Sequence, residues 1–248
     1  MSRKTKFTWS DAIIEVLNRH NNVVSLKTLH NEAPGIYSNY NKIVGKTPHK
    51  TINERVQRDD RITKIAPGLY TLTESLNDLP KEYNPMFQTK EDKEKLTHIS
   101  IQAILLQLGQ LYKFGTYTPD KSKKYLDKHL GDFSTLAEYP EFTYKRIIGR
   151  VKMIDVTWFN ERLFPSHIFE VEHSTDMKNA LSKFMELMDF KASMKIISPK
   201  ERESEFNKII EQPAFKPLSN QVKFWNYEKV EKLYLSEKEI SPLRTEIL

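Results

Sequence analysis

One stretch of the chain, residues 154 to 174, sets acidic side chains among residues that favour buried β-strand. It reads IDVTWFNERLFPSHIFEVEHS, and Asp155, Glu170 and Glu172 are the acids with apolar neighbours. Successive side chains of a strand point to opposite faces of a sheet, so Glu170 and Glu172 share one face. The pattern therefore predicts two carboxylates side by side at the end of an apolar strand.

Acids in such a setting point to a bound cation. A buried carboxylate is costly unless it is paired or binds a metal, and oxygen-only ligands suit Mg²⁺ or Mn²⁺ better than zinc. If the strand of residues 153 to 159 lies next to the strand of residues 167 to 172, Asp155 completes the site. We therefore expect Asp155, Glu170 and Glu172 to hold Mg²⁺, with Mn²⁺ able to substitute, as in sites that hydrolyse phosphodiesters. Two strands carrying solvated acids are the alternative.

These residues resemble the PD-(D/E)XK nuclease superfamily, with Asp155 as the Asp of the motif and Glu170 as its D/E. Fourteen residues, 156 to 169, separate the two acids. Glu172 stands where the family usually has Lys, and Ile154 stands where it has Pro. The resemblance implies a restriction-endonuclease-like α/β domain with a central mixed sheet. It also implies a first helix, expected over residues 97 to 112, that lends a polar group to catalysis. Gln102 is the first candidate for that group and His98 the second.

The first third of the chain carries the signals of three helices and a β-hairpin, which together make a winged helix. Its motifs WSDAI, TPHKTIN and DDRITKIAPGLYTL resemble the HARE-HTH family over residues 7 to 74. The resemblance implies DNA binding through the third helix and the wing. The expected DNA-binding residues are Lys46, Thr47, His49, Lys50, Asn53, Gln57 and Lys64. A module that binds protein or packs on its neighbour remains the alternative.

Three regions follow from these patterns. Residues 1–75 form the winged-helix domain, residues 76–95 a Pro-containing charged linker and residues 96–248 the nuclease domain, so the fold class is α+β and α/β. Within the chain we expect helices over residues 23 to 33 and 175 to 188, the first strands from residue 143, and an irregular tail from residue 236. Lys183 is expected to face outward from its helix. An additional acid of the site would come from Asp132, Glu138 or Glu141.

Composition limits the function classes. The formal net charge is +6, and twelve Lys and Arg stand against seven Asp and Glu in residues 1 to 75, which suggests a polyanionic partner. The chain has no Cys, which excludes disulfides and Cys-based zinc sites, and its 7 Gly include no phosphate-binding loop. It has no apolar run of membrane-spanning length and its start lacks a signal-peptide pattern, so we expect no membrane contact and a cytoplasmic location.

Together these features predict a Mg²⁺-dependent, site-specific endonuclease that hydrolyses double-stranded DNA, of the type II restriction-enzyme kind. Cutting both strands requires two active sites, so a homodimer is expected. A companion DNA methyltransferase and dependence on modified DNA are compatible with this hypothesis. The alternative is a non-catalytic DNA-binding transcriptional regulator that uses a degenerate nuclease fold for dimerisation, which the missing Lys favours.

Overall fold

The structure, a computed structural model, describes residues 7–43 and 47–245. Its helices are α1 (Trp9–Arg19), α2 (Leu26–Ser38), α3 (Pro48–Arg58), α4 (Lys90–Leu111), α5 (Lys145–Val151), α6 (Met177–Met185), α7 (Glu203–Ile210) and α8 (Tyr227–Thr245). Its strands are β1 (Val23–Ser25), β2 (Ile62–Ala66), β3 (Leu69–Leu72), β4 (Gly115–Tyr117), β5 (Lys124–Tyr125), β6 (Lys128–His129), β7 (Val156–Phe159), β8 (Pro165–Val171), β9 (Ser193–Ile197) and β10 (Val222–Trp225). The chain divides into two compact units, one of Met1–Thr97 with Leu235–Leu248 and the other of His98–Tyr234.

The first unit combines helices α1 to α3 with an antiparallel sheet in the order β1-β3-β2. Helix α1 begins with a capping box, in which the side chains of Thr8 and Asp11 each accept a hydrogen bond from the other's main-chain N–H. The expected hairpin is present as β2 and β3, and Gly68 adopts the left-handed φ of 69° that their tight turn requires. The buried faces of the three helices and the sheet form the core of this unit.

The second helix differs from the expectation at both ends. Residues 23 to 25 form strand β1, and α2 begins only at Leu26, where the Ser25 side chain accepts a hydrogen bond from the Thr28 N–H at 3.1 Å. The helix then continues through Pro34 to Ser38. Its apolar stripe extends past Pro34 to the buried Ile36, and the packing of that stripe outweighs the helix-breaking tendency of proline.

The second unit is built on a five-stranded mixed sheet in the order β10-β9-β8-β7-β4. Strands β8, β9 and β10 run parallel, whereas β7 is antiparallel to both β8 and β4. One face of the sheet, with Ile168 and Ile196, packs into a hydrophobic core against α5, α6 and α7. On the other face the indole N–H of Trp158 donates to the main-chain oxygen of Leu105 in α4 at 3.1 Å. The expected central mixed α/β sheet is therefore present.

Several element boundaries depart from expectation. Helix α4 starts at Lys90, inside the predicted linker, because Thr89 and Asp92 form a second capping box. Residues 145 to 151 form a helix rather than a first strand, with Ile148 and Val151 buried at the spacing of a helical face. The tail expected to be irregular continues α8 as far as Thr245. Within the described residues, none of the helices has the length and apolar character that crossing a lipid bilayer requires.

Candidate metal centre

Asp155 lies immediately before β7 and is fixed from two sides. In the β7–β8 register Val156 faces Phe169, so the next residues outward on the two strands are Asp155 and Glu170. The Val171 N–H donates to Asp155 Oδ2 at 2.8 Å, and Gln102 Nε2 donates to Asp155 Oδ1 at 3.1 Å. The side chain of Asp155 thus joins the ends of the two strands and helix α4, and its orientation depends on the sheet register.

Glu170 and Glu172 lie at the end of β8 and are both buried, with 2% and 7% of their surface exposed. Burial, reinforced by the charge of Asp155, raises the pKa of Glu170 well above its ordinary value, against the opposing effect of Lys183. Burial and Asp155 likewise raise the pKa of Glu172 to about 7. The Glu172 N–H donates to the Ile197 oxygen at 2.8 Å, which holds this end of β8 against β9. Ionisation of either buried acid therefore costs free energy in the folded protein.

Helix α4 contributes two polar side chains one turn apart, His98 and Gln102. His98 Nε2 lies 3.4 Å from Asp155 Oδ1, and Gln102 is fully buried. Gln102 Nε2 donates both to Asp155 and to Asp120 Oδ2, the latter at 2.8 Å, while the buried Gln102 Oε1 has no hydrogen-bond partner. Both side chains that the sequence singled out on this helix thus lie beside Asp155.

Asp120 is an acid of the centre that the sequence patterns did not predict. The three candidates for an additional acid, Asp132, Glu138 and Glu141, are exposed. Asp120 instead packs against Gln102, and Lys123 Nζ lies 2.7 Å from Asp120 Oδ2. Burial raises the pKa of Asp120, but the hydrogen bonds from Lys123 and Gln102 outweigh burial and lower it overall. The available signal was the turn after Pro119, which places an acid close to a lysine.

Lys183 was expected to face outward from α6, and this expectation is wrong. Its Nζ lies 2.5 Å from Glu170 Oε1 and 3.3 Å from the main-chain oxygen of Met153, and 24% of its side chain is exposed. The lysine side chain is long enough to reach from α6 to the buried acid at the end of β8. The centre therefore contains a lysine from a helix as well as acids from the strands.

The donors fit a hard divalent cation. One ligand atom each from His98, Asp120 and Asp155 lie within 4.8 Å of one another. Glu170 and Glu172 are not part of that group of three, although both feel the charge of Asp155. Carboxylates with at most one imidazole are the ligand chemistry of Mg²⁺ and Mn²⁺. The unpartnered oxygen of Gln102 and the buried acids are groups that a cation would satisfy.

The expected DNA-binding side chains of the first unit differ in their exposure to solvent. Lys50 and Gln57 on α3 and Lys64 on β2 are exposed, whereas Thr47 and His49 are half-buried. Lys46 lies outside the described residues.

Asn53 does not face outward as expected. It is 5% exposed, and its Oδ1 lies 2.8 Å from Nε2 of the buried His30. The polar contact with His30 draws Asn53 into the helix interface, which hydropathy periodicity alone does not predict. The exposed Arg55 and Arg58 extend the polar surface of α3 in its last turns.

The fold and the site together define an α/β protein with an acidic centre at the ends of its central strands, whose donors suit a divalent cation. The chain belongs to the family of the Type II restriction enzyme NmeDI C-terminal domain, whose model matches residues 78–248. A curated relative, the Type II restriction enzyme NmeDI of Neisseria meningitidis serogroup C, is 29% identical over 153 residues, which are 56% of this chain and 43% of that protein. The match thus spans less than half of that relative. No solved structure matches the chain.

Proposed function

We propose that the protein is a Mg²⁺-dependent, site-specific endonuclease that hydrolyses double-stranded DNA, as a type II restriction enzyme does. The observation that carries this proposal is the convergence of Asp155, Glu170, Glu172 and Asp120 at one end of the sheet. Family membership supports the restriction class, because the matching relative is by name a type II restriction enzyme.

The topology of the second unit supports a PD-(D/E)XK fold. Helix α4 precedes the antiparallel strands β4, β7 and β8, and α6 then leads to β9, which is parallel to β8. This order places the two motif acids, Asp155 and Glu170, on neighbouring strand ends. Such a site needs its acids on rigid elements, because a small displacement of a catalytic group is costly.

The four acids and their hydrogen-bond donors have separate roles in this proposal. Asp155, Glu170, Glu172 and Asp120 hold Mg²⁺ or Mn²⁺, which when bound activates water and stabilises the leaving oxygen. Gln102 and the Val171 N–H orient the Asp155 carboxylate through hydrogen bonds of 3.1 and 2.8 Å. Burial of the acids excludes bulk water and strengthens their interaction with a cation.

The first unit is proposed to be the DNA-binding module, a winged helix of the HARE-HTH kind. Its order of helices and strands and its β1-β3-β2 sheet support this assignment. Lys50 and Gln57 on α3 would read or anchor DNA in the major groove, and Lys64 on the wing would contact a phosphate. Thr47 and His49, at the start of α3, are proposed to join them.

The assembly and setting follow from the substrate. Cutting both strands requires two sites, so a homodimer on DNA is proposed. A companion methyltransferase would protect the host DNA, unless the enzyme requires methylated bases in its target. Both arrangements place the protein with DNA in the cytoplasm.

The experiment is incubation of the purified protein with plasmid and phage DNAs, methylated and unmethylated, in Mg²⁺ or in EDTA. Discrete Mg²⁺-dependent fragments are expected, and the preference between DNAs reports modification dependence. Asp155→Asn should abolish cleavage while leaving DNA binding near normal. If the wild-type protein retards DNA on a gel but cuts none of it, the non-catalytic regulator, which Glu172 in place of Lys favours, replaces this proposal.

A further inference from the structure

Strand β8 ends without the cation that the resembled motif carries. Glu172 stands at the position of the motif's Lys, so residues 170 to 172 contribute two buried acids and no positive charge. A positive group is nevertheless present at the same strand end. Lys183 of α6 places Nζ 2.5 Å from Glu170 Oε1, the second acid of the motif. The helix thus supplies an ammonium where the strand lacks one.

The position of Lys183 is fixed by the packing of its helix. Asp176 caps α6 by accepting a hydrogen bond from the Lys178 N–H at 2.9 Å, and Ala180, Leu181 and Phe184 are fully buried against the sheet. Lys183 Nζ also contacts the Met153 main-chain oxygen, at 3.3 Å. Lys183 extends from a rigid helix, and its contacts with Glu170 and Met153 hold the ammonium in one place, as a catalytic group requires.

Lys183 is more exposed than the acid with which it pairs. This difference indicates that the lysine can do more than neutralise the charge of Glu170. The side chain of Glu170 is 3% exposed, whereas that of Lys183 is 24% exposed. The side chain of Lys183 therefore connects the buried acid with the protein surface, from which a DNA phosphate would approach. An ammonium carries three donors, and its contacts with Glu170 and the Met153 oxygen do not use all of them.

Two other described cations near the centre form their contacts with other groups. Arg202 donates to the main-chain oxygens of His173 and Thr175, at 2.9 and 2.8 Å, and pairs with Glu205. Lys123 lies on the far flank, paired with Asp120 at 2.7 Å. Of these three described cations, Lys183 is in direct contact with a motif acid, Glu170.

We propose that Lys183 is the active-site lysine of this nuclease, supplied from α6 in place of the strand position that Glu172 occupies. This proposal rests on the nuclease function proposed above. Lys183 donates a hydrogen bond to the attacking water or to an oxygen of the scissile phosphate, where negative charge develops, and Glu170 and Met153 hold it in position. Glu172 is then free to serve as an acidic ligand.

The test uses the 248-residue protein and five variants of it. Lys183→Gln removes the charge but keeps a donor of similar length, and Lys183→Arg keeps the charge in a different geometry. The exchange Glu172→Lys with Lys183→Glu moves the lysine to the strand, with Lys183→Glu alone as its reference. Lys178→Gln, an exposed lysine on the same helix, is the matched control. Each protein is assayed for DNA cleavage, DNA affinity in Ca²⁺ by fluorescence anisotropy, Mn²⁺ affinity by calorimetry, and melting temperature.

Lys183→Gln should lower the cleavage rate by about 100- to 1,000-fold, the effect of removing one donor that acts in the transition state. DNA affinity should stay within about threefold of wild type, and Mn²⁺ affinity should be equal or higher, because a positive charge beside Glu170 is gone. Lys183→Arg should not restore the rate. The exchange should cut at least tenfold faster than Lys183→Glu alone, and Lys178→Gln should match the wild type.

Two results would overturn the proposal while leaving the proposed function intact. One is wild-type cleavage by Lys183→Gln. The other is a parallel loss of cleavage, Mn²⁺ binding and thermal stability that Lys183→Arg rescues, since this pattern describes a structural counter-ion. If the wild-type protein cuts no DNA, the proposed function fails, and the role of Lys183 fails with it.

Discussion

Replacing Glu172 by Gln should stabilise the metal-free protein, and the size of the effect follows from the burial of the carboxyl group. Glu172 is 7% exposed, and burial together with Asp155 raises its pKa from an ordinary 4.5 to about 7. The folded state therefore holds a proton on Glu172 more tightly than the unfolded state does. Stability consequently falls as pH rises from about 4.5 to 7. Since a tenfold difference in proton affinity is worth about 1.4 kcal/mol, ionisation of Glu172 costs the folded state about 3 kcal/mol above pH 7.

The assay is a pair of thermal melts in EDTA, at pH 5 and pH 8, for wild type and Glu172→Gln. Glutamine keeps the shape and removes the charge, so at pH 8 the variant should melt roughly 6–12 °C above wild type, taking about 2–4 °C per kcal/mol. At pH 5 the difference should shrink to about a quarter of that, because Glu172 is then mostly protonated. Adding Mn²⁺ should raise the melting temperature of wild type more than that of the variant.

Glu161→Gln, which neutralises an exposed acid of the β7–β8 loop, is the control and should leave both melts unchanged. Equal melting of wild type and Glu172→Gln at pH 8 would refute the reasoning, since it would mean that the ionised carboxylate carries no burial cost. A difference that grows as the pH falls would refute it equally, because the sign of the linkage would be reversed.

Three other substitutions test the packing and the polar contacts. Gly109→Ala places a Cβ against the side chain of Thr116 and should destabilise the protein by about 1–3 kcal/mol, measured by urea unfolding. Burial first, and then neighbouring lysines, lower the pKa of Lys195 to about 8, so below pH 8 its charge destabilises the folded state. Lys195→Met should raise the melting temperature at pH 7, and the gain should shrink to about a quarter near pH 10, where the lysine of the unfolded chain also loses its proton. Asn53→Ala removes the 2.8 Å hydrogen bond to His30 and should cost about 1–2 kcal/mol in a denaturant titration; a loss of DNA affinity without loss of stability would contradict it.

Local signals in the sequence were sufficient for most elements of the second unit. Apolar runs of strand length predict β8, β9 and β10, and a helical stripe predicts α6. The start of α4 was also readable, because Thr89 followed by Asp92 is a capping box, but the charged residues around them resembled a linker. The extension of α2 through Pro34 depends on the packing of Ile36. A prediction from the sequence gives this packing less weight than the helix-breaking tendency of proline, and so it ends the helix too early.

The residues of the candidate site could be predicted only where they lie together in one segment of the sequence. Glu170 and Glu172 follow from strand alternation, and Asp155 from the assumption that two strands are neighbours. Asp120 and Lys183 lie on a loop and a helix whose contacts are fixed by the tertiary fold. The turn after Pro119 is a local signal for Asp120, whereas nothing within α6 marks Lys183. Considered alone, the polar residues around Asp120 predict a solvent-exposed side chain. The position of Lys183 on its helix predicts the same.

The charges of the centre explain why these two residues matter. Lys123 pairs with Asp120 on one flank and Lys183 pairs with Glu170 on the other, at 2.7 and 2.5 Å. Among the described residues, Asp155 accepts hydrogen bonds from the neutral donors Gln102 and the Val171 N–H, and the imidazole of His98, which is charged only when protonated, lies beside it. Glu172 is held at the same strand end with a raised pKa. Two lysines thus pair with Asp120 and Glu170, and the charges of Asp155 and Glu172 would match that of the divalent cation proposed above.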